Sequence, residues 1–205
     1  ARLAERVGRW HAQPRGGHRS PDPSHLEAAE RLARGTPWTE AASNASSGAA
    51  GLPRAPAFGL AFSDDLRRAE QWGAAQCRVT HRGREAVAAS AALSVGVARL
   101  ARGERLSVAL SEMVAAACRE SPRLAARLAR ALHDADAGVP PAVGLARASA
   151  ATAADALTMA LFVVRRHPDD LERALREAVM TPGPSSTAAG AVGALLGARL
   201  GAGAL

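Results

Sequence analysis

About a quarter of this chain is Ala, and Ile and Tyr do not occur in it at all. Ala is the strongest helix former and Leu stands close behind it, whereas strands draw on β-branched and aromatic residues. Aromatic residues supply only 3% of the sequence, so the core has to be assembled from Leu, Val and Ala. A β-sandwich or β-barrel is short of strand formers here. A disulfide scaffold is short of cysteines, because there are only Cys77 and Cys118, far apart and without CxxC spacing. The composition therefore predicts an all-α fold. Both cysteines fall within apolar helical patterns, which predicts two buried thiols. A length of 205 residues suits one domain with a substantial core.

The formal charge is +7 and the sequence pI about 11.3. Lys is absent, so all 26 basic residues are Arg, and they are interspersed with 19 acids. A basic helical module that binds nucleic acid is one function such a charge allows. The mixing of signs, with no block of like charges, weighs against nucleic acid as a partner. The opening residues Ala1-Arg2-Leu3-Ala4-Glu5-Arg6 carry charges where a signal peptide has an apolar run. The longest apolar stretch, Ala188 to Ala198, ends at Arg199 and is too short to span a bilayer. The expectation is a cytoplasmic monomer without a membrane partner. There is no initiator Met, which leaves a complete chain and a fragment of a longer protein both open.

Helical periodicity starts with residues 1–12, where Leu3, Val7 and Trp10 share a face. Residues 13–25 hold Pro, Gly and His and read as a loop. His11, His18 and His25 recur every seventh residue, as metal ligands on one helix would, but Pro and Gly interrupt that helix and favour scattered histidines. A short helix from about Ser24 to Ala33 is ended by Gly35. Residues 39–60 lack periodicity and predict a long loop. Ser63 is placed to cap a helix with Asp64 and Asp65 in its first turn, running to about Cys77. Thr80-His81-Arg82-Gly83 then leads into a helix over 84–102 that Gly103 stops. Ser107 opens another, and Ser121-Pro122 is a cap followed by Pro at the first helical position. Residues 136–148 read as a linker, followed by a helix over about 151–165. Pro168-Asp169-Asp170 opens the next helix, with Glu172 and Arg176 one turn apart. Residues 181–187 read as a turn. The last helix, 188–200, carries Gly190, Gly193 and Gly197, whose small size would let helices approach closely. The sum is a bundle of roughly eight helices.

No phosphate loop, dinucleotide fingerprint, HExxH or GxSxG is present. The acid pairs Asp64/Asp65 and Asp169/Asp170 stand at helix starts, where they complement the helix dipole; that role competes with a catalytic one. The Thr80-His81 turn and the 181–187 turn each present polar groups at a helix N-terminus, where free amides favour anions. Arg54 reads either as a brace on loop carbonyls or as a substrate contact. Trp10, Trp38 and Trp72 read as core or half-buried anchors.

The order of these segments resembles the ADP-ribosylglycohydrolase family. Leu171–Val179, then Gly183-Pro184-Ser185-Ser186-Thr187, then the small-residue run Ala188–Ala198 is similar to the family's C-terminal ending, without gaps. Thr80-His81, the Ala-rich helix after it and Arg99-Leu100-Ala101-Arg102-Gly103 resemble a second family segment. Arg54-Ala55-Pro56-Ala57-Phe58-Gly59-Leu60 resembles a third, and Trp10 before a Gly-rich loop a fourth. The resemblance spans nearly the whole chain in the family's order. It implies a single compact orthogonal helical bundle over 1–205. It also implies a binuclear centre of Mg2+ or Mn2+ and hydrolysis that releases ADP-ribose from modified side chains. Hard cations of this kind take oxygen ligands, and two of them orient substrate and activate water.

The departures fall at the metal. The family's Gly-Asp-x-Asp-Thr motif holds metal through both aspartates, and Pro184 and Ser186 stand in their places. Thr187 matches a family ligand, and Ser185 and Ser186 offer only neutral hydroxyls. The family's N-terminal Thr-Asp-Asp and Gly-Asp-Ala ligands have no counterpart, the chain beginning downstream of where they would sit. The family's Gly-rich substrate loop has become Gly48-Ala49-Ala50-Gly51, with Pro53 where Met is expected. His81 matches the family histidine that lies near ADP-ribose. Divalent cations stripped of water need anionic partners, so metal binding is expected to be weak or lost. The resemblance thus implies His81 and Gly48 as substrate contacts and Thr187, Ser185 and Ser186 as what remains of the metal site. ADP-ribose or an ADP-ribosylated protein is the implied partner. Three readings stand: a catalytically impaired family member, an active hydrolase with unusual ligands, and the nucleic-acid module.

Overall fold

The structure is a computed structural model that describes residues 1–12, 22–43, 45–148, 151–180 and 182–204. Among these there are eleven α-helices and no strand. Two of them form the centre. The helix α5 (Arg84–Ala101) is buried without interruption from Ala86 to Ala98, and α9 (Ala153–Arg166) from Ala153 to Val164. A helix apolar on every side has to lie inside the core. The helices α3 (Ala55–Ala61), α4 (Leu66–Arg78) and α6 (Leu106–Glu120) pack on α5. In turn α7 (Pro122–Asp136), α10 (Leu171–Val179) and α11 (Ser185–Leu200) pack on α9, with α11 touching α5 as well. The short α8 (Pro141–Ala146) leans on α7 and α9. A 3-10 helix over Ala49–Arg54 lies against α3, α4, α5, α9 and α11.

Two further helices, α1 (Arg2–His11) and α2 (Pro23–Ala33), form an outlying pair with a small core of their own. Ala4, Val7 and Ala29 close on Val79 at the end of α4, with Leu3, Trp10 and Leu32 at the edge. Gly8 makes the closeness possible, since a Cβ there would lie 3.1 Å from the backbone of Ala33.

Caps and stops explain most boundaries. Asp65, Ser121, Thr152 and Asp170 each accept a hydrogen bond from the amide three residues on, satisfying a free helix N–H. In two places the expected acid pairs are shifted: Asp65 and Asp170 are the caps themselves rather than first-turn residues, and Ser63 caps nothing. The loop expected over 39–60 contains the 3-10 helix and α3, because Pro53 and Pro56 preset the helical φ in segments too short to show periodicity. The expected linker at 136–148 likewise holds α8. The turn expected over 181–187 gives way to helix at Ser185. Gly190 and Gly197 have nothing within 4 Å of a Cβ position, so they are not points of close approach. Those lie elsewhere: at Gly59 a Cβ would meet the Ser94 carbonyl at 2.5 Å, and at Gly73 the Ser90 carbonyl at 2.9 Å. Cys77 is buried as expected, but Cys118 is exposed on the outer face of α6.

Candidate functional site

One group of buried polar residues gathers where α4 ends. The segment Val79–Gly83 leaves α4 and enters α5, and it carries Thr80 and His81, both fully buried. Arg54, at the end of the 3-10 helix, reaches in from one side. Asp22 and His25, at the start of α2, close the other.

Arg54 organises the cluster. Its Nε donates to Gln76 Oε1 at 2.9 Å. One terminal nitrogen donates to the Ala50 carbonyl at 3.3 Å and to His25 Nδ1 at 3.4 Å. The other donates to the Gln76 carbonyl at 3.3 Å and to Thr80 Oγ1 at 2.7 Å. A guanidinium has five N–H donors, and here all five end on neutral acceptors. Arg54 is thus a brace, as one of its sequence readings held, and it has no donor to spare for a ligand. Gln76 is held in turn, its amide donating to the carbonyls of Gly51 and Gly73 at 3.2 and 3.0 Å.

The bonds also assign the His81 ring. Its Nε2 faces Asp22 Oδ1 at 3.2 Å, and its Nδ1 faces Thr80 Oγ1 at 2.8 Å. A carboxylate can only accept, so in the neutral ring the proton sits on Nε2. Arg54 can only donate to Thr80 Oγ1, so the Thr80 hydroxyl proton is directed to His81 Nδ1. The result is a directional relay, Arg54 to Thr80 to His81 to Asp22. Burial lowers the His81 pKa below that of a free histidine, with Arg54 adding to the fall and Asp22 opposing it. His25 is lowered to about 4, by burial first and then by Arg54 and His81. Both rings are therefore neutral at pH 7.

Gly48 belongs to this site. Residues 46–48 run past α5 and α9: Gly83 N–H donates to the Ser46 carbonyl at 2.8 Å, Ala153 N–H to the Ser47 carbonyl at 3.1 Å, and Gly48 bridges to Thr152. A Cβ at Gly48 would collide with the Asp22 carboxylate and lie 3.1 Å from His81 Nε2. Glycine is what lets the Asp22–His81 pair form beneath this loop. The two expected substrate contacts are thus neighbours.

The expected metal residues form a second group. Pro184 is buried and occupies the N-cap of α11, while Ser185, Ser186 and Thr187 make up the first turn. That helix packs on the 3-10 helix that carries Arg54. No hydrogen bond among the described residues joins these hydroxyls to His81 or Gly48. The donor set does not fit a binuclear centre: Pro184 has no side-chain donor, the hydroxyls are neutral, and the first turn of α11 contains no acid. Among the described residues no three His, Cys, Asp or Glu side chains gather as a cation would require. Of the spaced histidines, His25 joins the cluster, His11 ends α1, and His18 lies outside the described residues.

Asp22 and Gln76 escaped sequence reading, and His25 drew notice only for its spacing from His11 and His18. Asp22 sits in a Pro-rich stretch, yet Asp22-Pro23 is a cap followed by Pro at the first helical position, the same signal that located α7 at Ser121-Pro122.

A family model described as ADP-ribosylglycohydrolase matches residues 1–205. No curated protein matches the sequence.

Proposed function

Because the chain belongs to the ADP-ribosylglycohydrolase family, we propose that it recognises ADP-ribose while its hydrolysis is impaired. The family is metal-dependent and acts on ADP-ribosylated substrates. The reading rests on one contrast. The elements around His81 and Gly48 remain a hydrogen-bonded cluster, whereas the segment that resembles the metal motif offers Pro184 and three neutral hydroxyls. Two divalent cations held by hydroxyls alone would lack the anions that offset their loss of water. His81, neutral and fixed in one tautomer, and the Gly48 loop are the proposed ADP-ribose contacts. Thr187, Ser185 and Ser186 are the proposed remnant of the Mg2+ or Mn2+ site. A cytoplasmic monomer is the proposed setting.

Calorimetry of the chain with ADP-ribose, with and without Mg2+ or Mn2+, tests this. Binding that is independent of the metal and weakened in His81→Ala is the expected result. Metal-dependent binding with release of ADP-ribose from a modified protein would replace this reading with that of an active hydrolase using unusual ligands. No binding under either condition would refute ADP-ribose recognition.

A further inference from the structure

The aromatic residues of this chain are few, and they are not evenly spread. Two of its three Trp and one of its three Phe line a single groove of about 560 Å³ between α1 and α4. Trp38 and Trp72 remain 37% and 47% exposed there, although an indole is among the side chains with most to gain from burial. The Trp72 ring is held in place by stacking on Phe62, with centroids 6.2 Å apart, and the Arg68 guanidinium lies over Phe62 at 4.5 Å. Two cations, Arg2 and Arg6, stand on the α1 wall of the groove, and no acid among the described residues lines it. Neither takes part in an ion pair among the described residues, whereas Arg9 on the same helix pairs with Glu5. The groove thus joins flat apolar surfaces to uncompensated positive charge, and its size is that of a small-molecule site.

We infer that this groove binds a planar aromatic anion of the nucleotide class, its base against Trp38 and Trp72 and its phosphate met by Arg2 and Arg6. Stacking suits any base, because every base has a π-face, and Arg suits phosphate through paired, charge-assisted hydrogen bonds. The site is separate from the His81 cluster. Gln76 is the residue between them: it lines the groove and its side-chain carbonyl accepts from Arg54.

The test uses AMP as the probe, with adenosine and inorganic phosphate as its two halves, read by tryptophan fluorescence and calorimetry. AMP is expected to bind saturably and more tightly than either half. Trp72→Ala should weaken AMP roughly tenfold. The pair Arg2→Ala with Arg6→Ala should weaken AMP by a similar factor and leave adenosine unchanged. Circular dichroism checks that each variant is folded, and Trp72→Phe, which keeps a stacking face, should retain part of the affinity. His81→Ala should leave AMP binding intact, which separates this site from the proposed ADP-ribose contacts. Absence of saturable AMP binding, adenosine binding as tight as AMP, or full affinity in folded Trp72→Ala would each overturn the inference.

Discussion

At the scale of single residues, Arg54 and His25 set the behaviour of the site. Arg54 satisfies five acceptors with five donors, and burial lowers its pKa from the usual arginine value. Lysine has three donors on a point charge and cannot serve that set. Arg54→Lys is expected to lower the free energy of unfolding by about 2 kcal/mol, read by urea denaturation. Arg173→Ala, on the exposed face of α10, should change it by less than about 0.5 kcal/mol. His25 brings a pH dependence. Its folded pKa lies near 4, below the free value of 6.5, so the unfolded chain takes up a proton first as pH falls. Stability is therefore full above pH 6.5, declines between 6.5 and about 4, and then levels off in this contribution. After allowance for the ring's partial exposure the loss is about 2 kcal/mol, and His25→Gln should make the profile measured by urea unfolding shallower across that window, the lowered His81 still contributing. Sequence reading found Arg54 and His81 because they fall in segments with a recognisable pattern. It missed that Asp22 meets His81, a contact across 59 positions that no local spacing encodes.

At the scale of elements, helix type followed from composition and helix ends from capping chemistry. The long helices α5, α6, α7 and α9 were legible because their apolar pattern runs for three turns or more. The 3-10 helix, α3 and α8 were not, since six or seven residues give no period to detect and their helicity comes from Pro geometry and packing. Close approach was misassigned to Gly190 and Gly197 because which side of a helix meets a neighbour is a tertiary fact. Gly190→Ala, with open space at its Cβ, is expected to stabilise by about 0.5–1 kcal/mol through helix propensity. Gly73→Ala should destabilise by roughly 2 kcal/mol, because the Ser90 carbonyl stands in the way. Thermal unfolding of the two variants in parallel checks both signs. The first turn of α11 offers a third case. It contains no acid, so Ser186→Asp should raise stability by about 0.5 kcal/mol by complementing the helix dipole. Its melting temperature should fall back towards the parent value in high salt.

At the scale of the whole molecule, the chain is a central pair of buried helices wrapped by others, with α1 and α2 attached at one corner. Thiol chemistry reports on this layering. Burial raises the Cys77 pKa and closes off the sulfur, while Cys118 lies open. A thiol reagent should titrate one cysteine in the native protein and two after denaturation; two reactive thiols in the native state would place Cys77 outside the core. The Arg54 bonds reach further than the site itself. Its acceptors come from α2, the 3-10 helix, α4 and the turn after it, spread over residues 25–80. If any one of them peels away, a desolvated cation loses a partner it cannot replace from its neighbours. Piecemeal fraying is thereby penalised, and the four segments should open as one cooperative unit, with backbone amides that exchange with solvent deuterium at a shared rate.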